Sequence, residues 1–265
     1  MTHYDLISLQ NPRIKQVVKL REDKRERLRE KLILVEGWYE LNMAVSAGLI
    51  PRSVFTAPDL IAGMPVGFDY LTETYTVTRE VFEKISYREN PDGWLAIFPM
   101  PERKLIDFKP RQVSLVLVAE AVEKPGNLGA ILRTADAAGV DALIVTDPRV
   151  EIWNPNVIRA SRGAVFTVPV METENAAALD WLRSRQLNIT AASPQSEKNY
   201  TDLDYRPPTA FVVGTEDRGL SGFWMENADS NVVIRMAGKV NSLNVSVVSA
   251  LLVYEAIRQR NTTVP

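Results

Sequence analysis

Three short segments carry residues whose types and spacing suit ligand binding and chemistry. The first is Glu123-Lys-Pro-Gly-Asn-Leu-Gly-Ala-Ile-Leu-Arg133. Gly126 and Gly129 allow close backbone approach and positive φ, and Asn127 offers both a donor and an acceptor. Arg133 stands about a turn and a half beyond Asn127 on a helix, from where a guanidinium can return toward the same crevice. The second is Gly214-Thr-Glu-Asp-Arg-Gly-Leu-Ser221, in which Glu216 sits between two glycines free to make a tight loop with exposed amides. The third, Ser242-Leu-Asn-Val-Ser246, leads into an apolar helix. Each segment also has a plain reading: a strand-to-helix turn whose Arg133 pairs with a surface carboxylate, an ordinary turn, and a helix start with Ser246 as N-cap and Asn244 as a turn residue. The first segment departs from G-x-G-x-x-G, so it supports neither a nicotinamide Rossmann site nor the usual glycine-rich adenosylmethionine loop.

The absences narrow the chemistry further. With no Cys and a single His, His3, the chain has no disulfide framework, thiolate zinc site or cysteine nucleophile. A Ser-His-Asp triad or a multi-histidine metal site has no residues to build it, and no metal is expected. The formal net charge of −2 says nothing for a nucleic-acid partner, but its distribution does. Between Arg13 and Lys31 nine Lys or Arg, among them Arg25, Arg27 and Arg29, face four acids, a local excess of five. That stripe is either a phosphate-binding surface or a solvated helix face with internal ion pairs.

The elements that must position these segments fall into two groups. In the first, a short apolar run Leu32 to Val35 precedes a helical pattern Glu36 to Gly48; strands are expected at Ser53 to Thr56, Thr74 to Val77 and Trp94 to Phe98, with a helix at Arg79 to Ile85. Pro99 to Pro110 holds three prolines and five charged residues and reads as a linker. Beyond it strands alternate with helices, the pattern of a parallel sheet covered on both faces. Expected strands are Val113 to Val118, Ala142 to Thr146, Ala164 to Pro169, Asn188 to Ala192, Ala210 to Val213 and Val232 to Met236; expected helices are Gly129 to Ala138, Ala176 to Arg185 and Ser246 to Arg260. The last helix is apolar around most of its circumference and should bury itself in the domain or against a second subunit. The three segments then lie at strand ends, where open parallel α/β sheets bind ligands. No stretch is long and apolar enough for a membrane span, and Met1 to Gln10 lacks the pattern of a signal peptide, so a cytoplasmic protein without a membrane partner is expected.

The three segments, in this order, resemble the signature motifs of the SpoU (TrmH) family of RNA 2'-O-ribose methyltransferases, and Arg159-Ala-Ser-Arg-Gly-Ala-Val-Phe166 is a further family-like piece. The resemblance implies an α/β SPOUT domain over residues 108–265 with a trefoil knot and a mostly parallel sheet. It implies S-adenosyl-L-methionine as cofactor and a homodimer. Gln10-Asn-Pro-Arg-Ile-Lys15 and Val35-Glu-Gly37 are similar, more loosely, to the small α/β RNA-binding domain that often precedes the catalytic domain, here 1–107. By the same resemblance Arg133, with Asn127, Glu216, Ser242 and Asn244, handles the ribose and its proton. Cofactor contacts are expected at Gly214, Thr215, Glu216, Gly219, Ile234, Met236, Leu243 and Val245, and substrate RNA at Arg162, Arg159, Arg25, Arg27 and Arg29. A guanidinium is a poor proton acceptor as a residue type, so two roles stay open for Arg133: a base, or a charge stabilising the developing alkoxide while a phosphate takes the proton. Ribosomal RNA, 23S in particular, is the expected substrate. The alternatives are a tRNA 2'-O-methyltransferase and a catalytically silent RNA-binding protein of the same fold.

Overall fold

The computed structural model describes residues 3–61, 72–215 and 218–261. The chain packs as two units, Met1–Glu102 with Trp153–Thr167, and Arg103–Ile152 with Val168–Pro265.

The first unit contains β1 (His3–Leu6), α1 (Pro12–Glu22), α2 (Lys24–Glu30), β2 (Leu32–Glu36), α3 (Trp38–Ser46), β3 (Ser53–Thr56), β4 (Glu73–Val77), α4 (Arg79–Ile85) and β5 (Trp94–Pro99). Its sheet runs β1-β4-β3-β5-β2, parallel from β1 to β3 and antiparallel at β5 and β2. Helix α1 starts where the Asn11 side chain accepts from the Arg13 amide, with Pro12 supplying a preset φ. Ile14, Val17 and Leu20, three residues apart, form one face that is fully buried with Phe55, Tyr75 and Phe82. Burying each such side chain contributes about 1.5–3 kcal/mol. Asp23 ends α1 and its carboxylate accepts from the Arg25 amide, so α2 begins at a sharp corner.

The second unit opens with β6 (Leu115–Glu120), α5 (Pro125–Ala137) and β7 (Ala142–Thr146). The short helices α6 (Pro155–Ala160) and α7 (Ala164–Thr167) then pack with the first unit. There follow β8 (Val170–Thr173), α8 (Asn175–Ser184), β9 (Asn188–Ala192), β10 (Lys198–Asn199), β11 (Thr209–Val213), α9 (Gly222–Asn227), β12 (Ser230–Val233) and α10 (Val245–Asn261). The sheet is parallel throughout, in the order β10-β12-β9-β11-β6-β7-β8. Strands β6, β7 and β11 are buried along their whole length, which explains their unbroken apolar runs. The strand expected over Ala164 to Pro169 is a correction: Ala164 to Thr167 is helical, and pairing with β7 begins only at Val170. Ser161 draws the chain into that turn by accepting the Val165 amide on its hydroxyl.

Helix α10 packs on α5 and β11. Its start is capped by Asn244, whose backbone carbonyl accepts from Val247 and Val248 while its side chain accepts from Ser246. Asn244 is thus the capping residue, and Ser246, a possible N-cap from sequence, is not. At the other end Arg260 donates to the carbonyls of Tyr205, Pro207 and Ser114, tying the helix to the entries of β11 and β6.

Candidate active site

Adjacent strands β6 and β11 end side by side, and the glycine segment after β11 folds into a closed loop. Thr215 and Gly219 exchange backbone hydrogen bonds at 3.1 Å in both directions, and the Thr215 hydroxyl accepts from the Arg218 amide. Glycine is required at 214 by space, because a Cβ there would stand 2.3 Å from the Gly219 carbonyl oxygen. At Gly219 it is conformation that matters, with φ at +69°.

This loop forms one wall of a cavity of about 240 Å³. Gly214, Thr215 and Gly219 line it together with Ile234 and Met236, from the segment after β12, and Ser242, Leu243 and Val245 at the entry to α10. Three stretches far apart in sequence are therefore brought to one place. Ser193, Pro194 and Gln195, after β9, form a further wall that sequence reasoning missed; no charge or glycine pattern marks them. Glu216 lies outside the described residues.

Beside the cavity, the Asn244 side chain donates to the Asn127 side-chain oxygen at 3.1 Å, so the starts of α5 and α10 are joined. Arg133, further along α5, is exposed, and its side chain makes no hydrogen bond or ion pair with any described residue. The surface-pair reading of Arg133 thus has no described carboxylate to support it. Arg133 does not itself line the cavity.

The loop is anchored by a residue that sequence reasoning also missed. Glu120, the last residue of β6, is buried and accepts from the Ser221 amide at 2.8 Å, the Ser221 hydroxyl at 2.6 Å and the Asn175 amide group at 2.8 Å. Trp224 in turn donates to Asn175. An acid closing an otherwise apolar strand was the available signal, since a buried carboxylate must find such donors.

The basic residues divide. Arg159 and Arg162 belong to the first packing unit and are exposed. Arg25 is exposed, and its side chain has no described partner; Arg29 is exposed but pairs with Glu26 and Glu30. Arg27 is a correction: it is 2% exposed and donates to the carbonyls of Leu20 and Arg21, so it closes the end of α1 and presents no charge to a ligand. Among the described residues no cluster of three or more His, Cys, Asp or Glu is placed to hold a metal, and no helix is long and apolar enough to cross a membrane.

An all-parallel α/β unit with a cavity at its strand ends has the arrangement in which open α/β sheets bind their ligands. Residues 114–254 match the model of the SpoU rRNA methylase family, and residues 11–96 match the MRM3-like substrate binding domain. The chain belongs to the SpoU rRNA methylase family. It is 29% identical to the 23S rRNA (guanosine(2553)-2'-O)-methyltransferase RlmP of Bacillus subtilis, over 93% of this chain and 96% of that one. A crystal structure of an RNA 2'-O ribose methyltransferase superposes with a TM-score of 0.84 at 38% identity, covering 97% of this chain and 99% of the other. The SpoU methyltransferase AviRb of Streptomyces viridochromogenes, crystallised with the cofactor AdoMet, gives 0.85 at 26% identity, covering 96% and 100%.

Proposed function

We propose that this chain transfers a methyl group from S-adenosylmethionine to a ribose 2'-hydroxyl of RNA, with 23S ribosomal RNA as its substrate. The observation that carries the reading is the cavity that gathers the second and third sequence segments, bordered by the Asn127–Asn244 bond that draws in the first. Its chemistry suits the cofactor: apolar Ile234, Leu243 and Val245 offer a slot for a purine, and the closed glycine loop gives the cavity one wall. Residues 1–107 are read as the RNA-binding part and 108–265 as the methyltransferase, whose chain we infer to be knotted as in its family. The protein works in the cytoplasm.

Bound S-adenosylmethionine supplies a methyl group on a positively charged sulfur, which leaves without metal assistance. What remains for the protein is alignment and charge. Gly214, Thr215, Gly219, Met236 and Ser242 would hold the cofactor, and Asn127 and Asn244 would orient the ribose with Glu216. Positioning of this kind contributes on the order of 7–11 kcal/mol in favourable systems. A guanidinium has five donors and no acceptor, so Arg133 stabilises the negative charge growing on the 2'-oxygen while a substrate phosphate takes the proton. Calorimetry should show S-adenosylmethionine binding that is unchanged by a chelator; binding lost with chelator and restored by a divalent metal would contradict this cofactor site.

Two further parts of the reading have their own tests. Val247 and Tyr254 leave an apolar stripe on α10, 44% and 50% exposed, with Ala250 and Leu251 between them. That stripe supports a homodimer. Light scattering should give twice the chain mass at micromolar concentration, and Tyr254→Glu should give a monomer; a monomeric wild-type protein would refute the dimer. In the basic stripe, Arg25→Ala should reduce the salt dependence of RNA binding by about one phosphate's worth, roughly 0.7–0.9 in log–log slope. Arg27→Ala should leave the slope alone and lower stability by about 1–3 kcal/mol, since it strips a buried donor from two carbonyls. The reverse pattern, read from salt titrations and denaturant melts, would overturn these assignments.

A further inference from the structure

The first packing unit carries an open cavity of about 500 Å³. It is walled by Glu40 of α3, by Tyr87, Arg88, Glu89 and Asn90 after α4, and by Arg159 and Arg162 from α6 and the turn that follows it. Arg88 and Glu40 neutralise one another: the Arg88 Nη2 donates to the Glu40 carboxylate at 2.7 Å and to the Glu36 carbonyl at 2.7 Å. Burial works against the Arg88 charge, and Glu40 outweighs it, so its pKa stands above the ordinary arginine value. Two positive charges are left over, because neither Arg159 nor Arg162 pairs with a carboxylate among the described residues. The remaining acid of the lining, Glu89, is exposed and likewise unpaired among the described residues.

Arg162 is held in place at a cost. Its φ is +55°, the left-handed region, which costs an arginine about 1–2 kcal/mol. Gly163 follows at φ +80°, pressed so closely onto α3 that a Cβ there would meet the Met43 side chain at 2.6 Å. The turn is thereby fixed, and it sets the Arg162 guanidinium over the exposed Tyr39 ring, 4.5 Å from its centre. A guanidinium layered on an exposed tyrosine is a stacking platform for a nucleic-acid base.

We infer that this cavity is a subsite for one unpaired nucleotide of the RNA, distinct from the methylated one, with its phosphate on Arg159 and Arg162 and its base against the Tyr39–Arg162 stack. A nucleotide uses more of the lining than a free anion does, because Glu89 and Asn90 offer acceptors for the donor groups of a base edge beside the two arginines. The inference rests on the RNA reading above and assigns one RNA contact to the first packing unit.

The test is fluorescence anisotropy of the full-length protein with a labelled single-stranded RNA decamer, and with the same decamer made abasic. The informative variant is the pair Arg159→Ala with Arg162→Gly: glycine accepts a φ of +55° without strain, which offsets the entropy it adds to the unfolded chain, so the fold is retained while both charges go. Affinity for the decamer should fall about tenfold or more, and the salt slope should flatten by about 0.7, the worth of one single-strand phosphate. Tyr39→Leu should weaken the intact decamer about fivefold or more, leaving the salt slope and the abasic affinity unchanged. Wild-type affinity and slope in the double variant, a fall only in proportion to lost folded protein, or equal losses on both decamers in Tyr39→Leu would overturn the subsite alone. A wild-type protein that binds cofactor but no RNA would overturn the RNA reading and the subsite with it.

Discussion

Arg133→Ala is expected to lower methyl transfer by at least about a hundredfold while S-adenosylmethionine affinity and melting temperature stay near wild type. The loss is of the size seen when a charge-stabilising donor is removed from a developing oxyanion. Folding should be spared because the side chain is exposed and bonds to no described residue, and cofactor affinity because Arg133 does not line the cavity. The loss should therefore appear in turnover and not in cofactor Kd. Arg133→Lys is the companion: it keeps the charge without the planar fork. Poor rescue by lysine is expected if two oxygens, the 2'-oxygen and a phosphate, must be held together. Full rescue would mean that charge alone suffices, and undiminished methylation by Arg133→Ala would remove this residue from the chemistry.

Gly214→Ala is expected to weaken S-adenosylmethionine binding by about tenfold or more, with a stability loss of about 1–3 kcal/mol from overpacking. The added methyl would sit 2.3 Å from the Gly219 oxygen and 2.6 Å from the Leu220 nitrogen, both backbone atoms that cannot swing aside. The Thr215–Gly219 pairing must open to admit it, and that pairing shapes one wall of the cavity. Calorimetry and a thermal melt read the two effects separately. Wild-type affinity in Gly214→Ala would show that the closed loop is not part of the cofactor site. Gly126→Ala is a useful contrast, since a Cβ there meets nothing within 4 Å and both quantities should be nearly unchanged.

Much of the second unit was legible because its central strands are buried on both faces and write themselves as apolar runs, as at Ala142 to Thr146 and Ala210 to Val213. The segments after β11 and before α10 were legible for a different reason, in that glycines and small polar residues interrupt that apolar pattern at strand ends. Failures came where local sequence is ambiguous and tertiary contacts decide. Ala164 to Thr167 is too short an apolar run for periodicity to separate helix from strand. Arg27 looks like its neighbours Arg25 and Arg29, and only the corner at Asp23 turns it inward to the carbonyls of α1. The Ser193–Gln195 wall belongs to the cavity because β9 lies next to β11, an adjacency that depends on sheet order and leaves no mark in the segment itself. Tyr39 acquires its meaning only from Arg162, more than a hundred residues away in the chain.

The most direct test of the central claim is the identity of the methylated product. The purified protein is incubated with isotope-labelled S-adenosylmethionine and, in parallel, with ribosomal RNA and transfer RNA from cells lacking it, and the RNA is digested to nucleosides for mass spectrometry. The expected result is label in one 2'-O-methylnucleoside from 23S ribosomal RNA, at a linkage resistant to alkaline cleavage, with none formed by Arg133→Ala. Label on a base, or no transfer to any RNA by a protein that binds the cofactor, would contradict ribose 2'-O-methylation as the function of this chain.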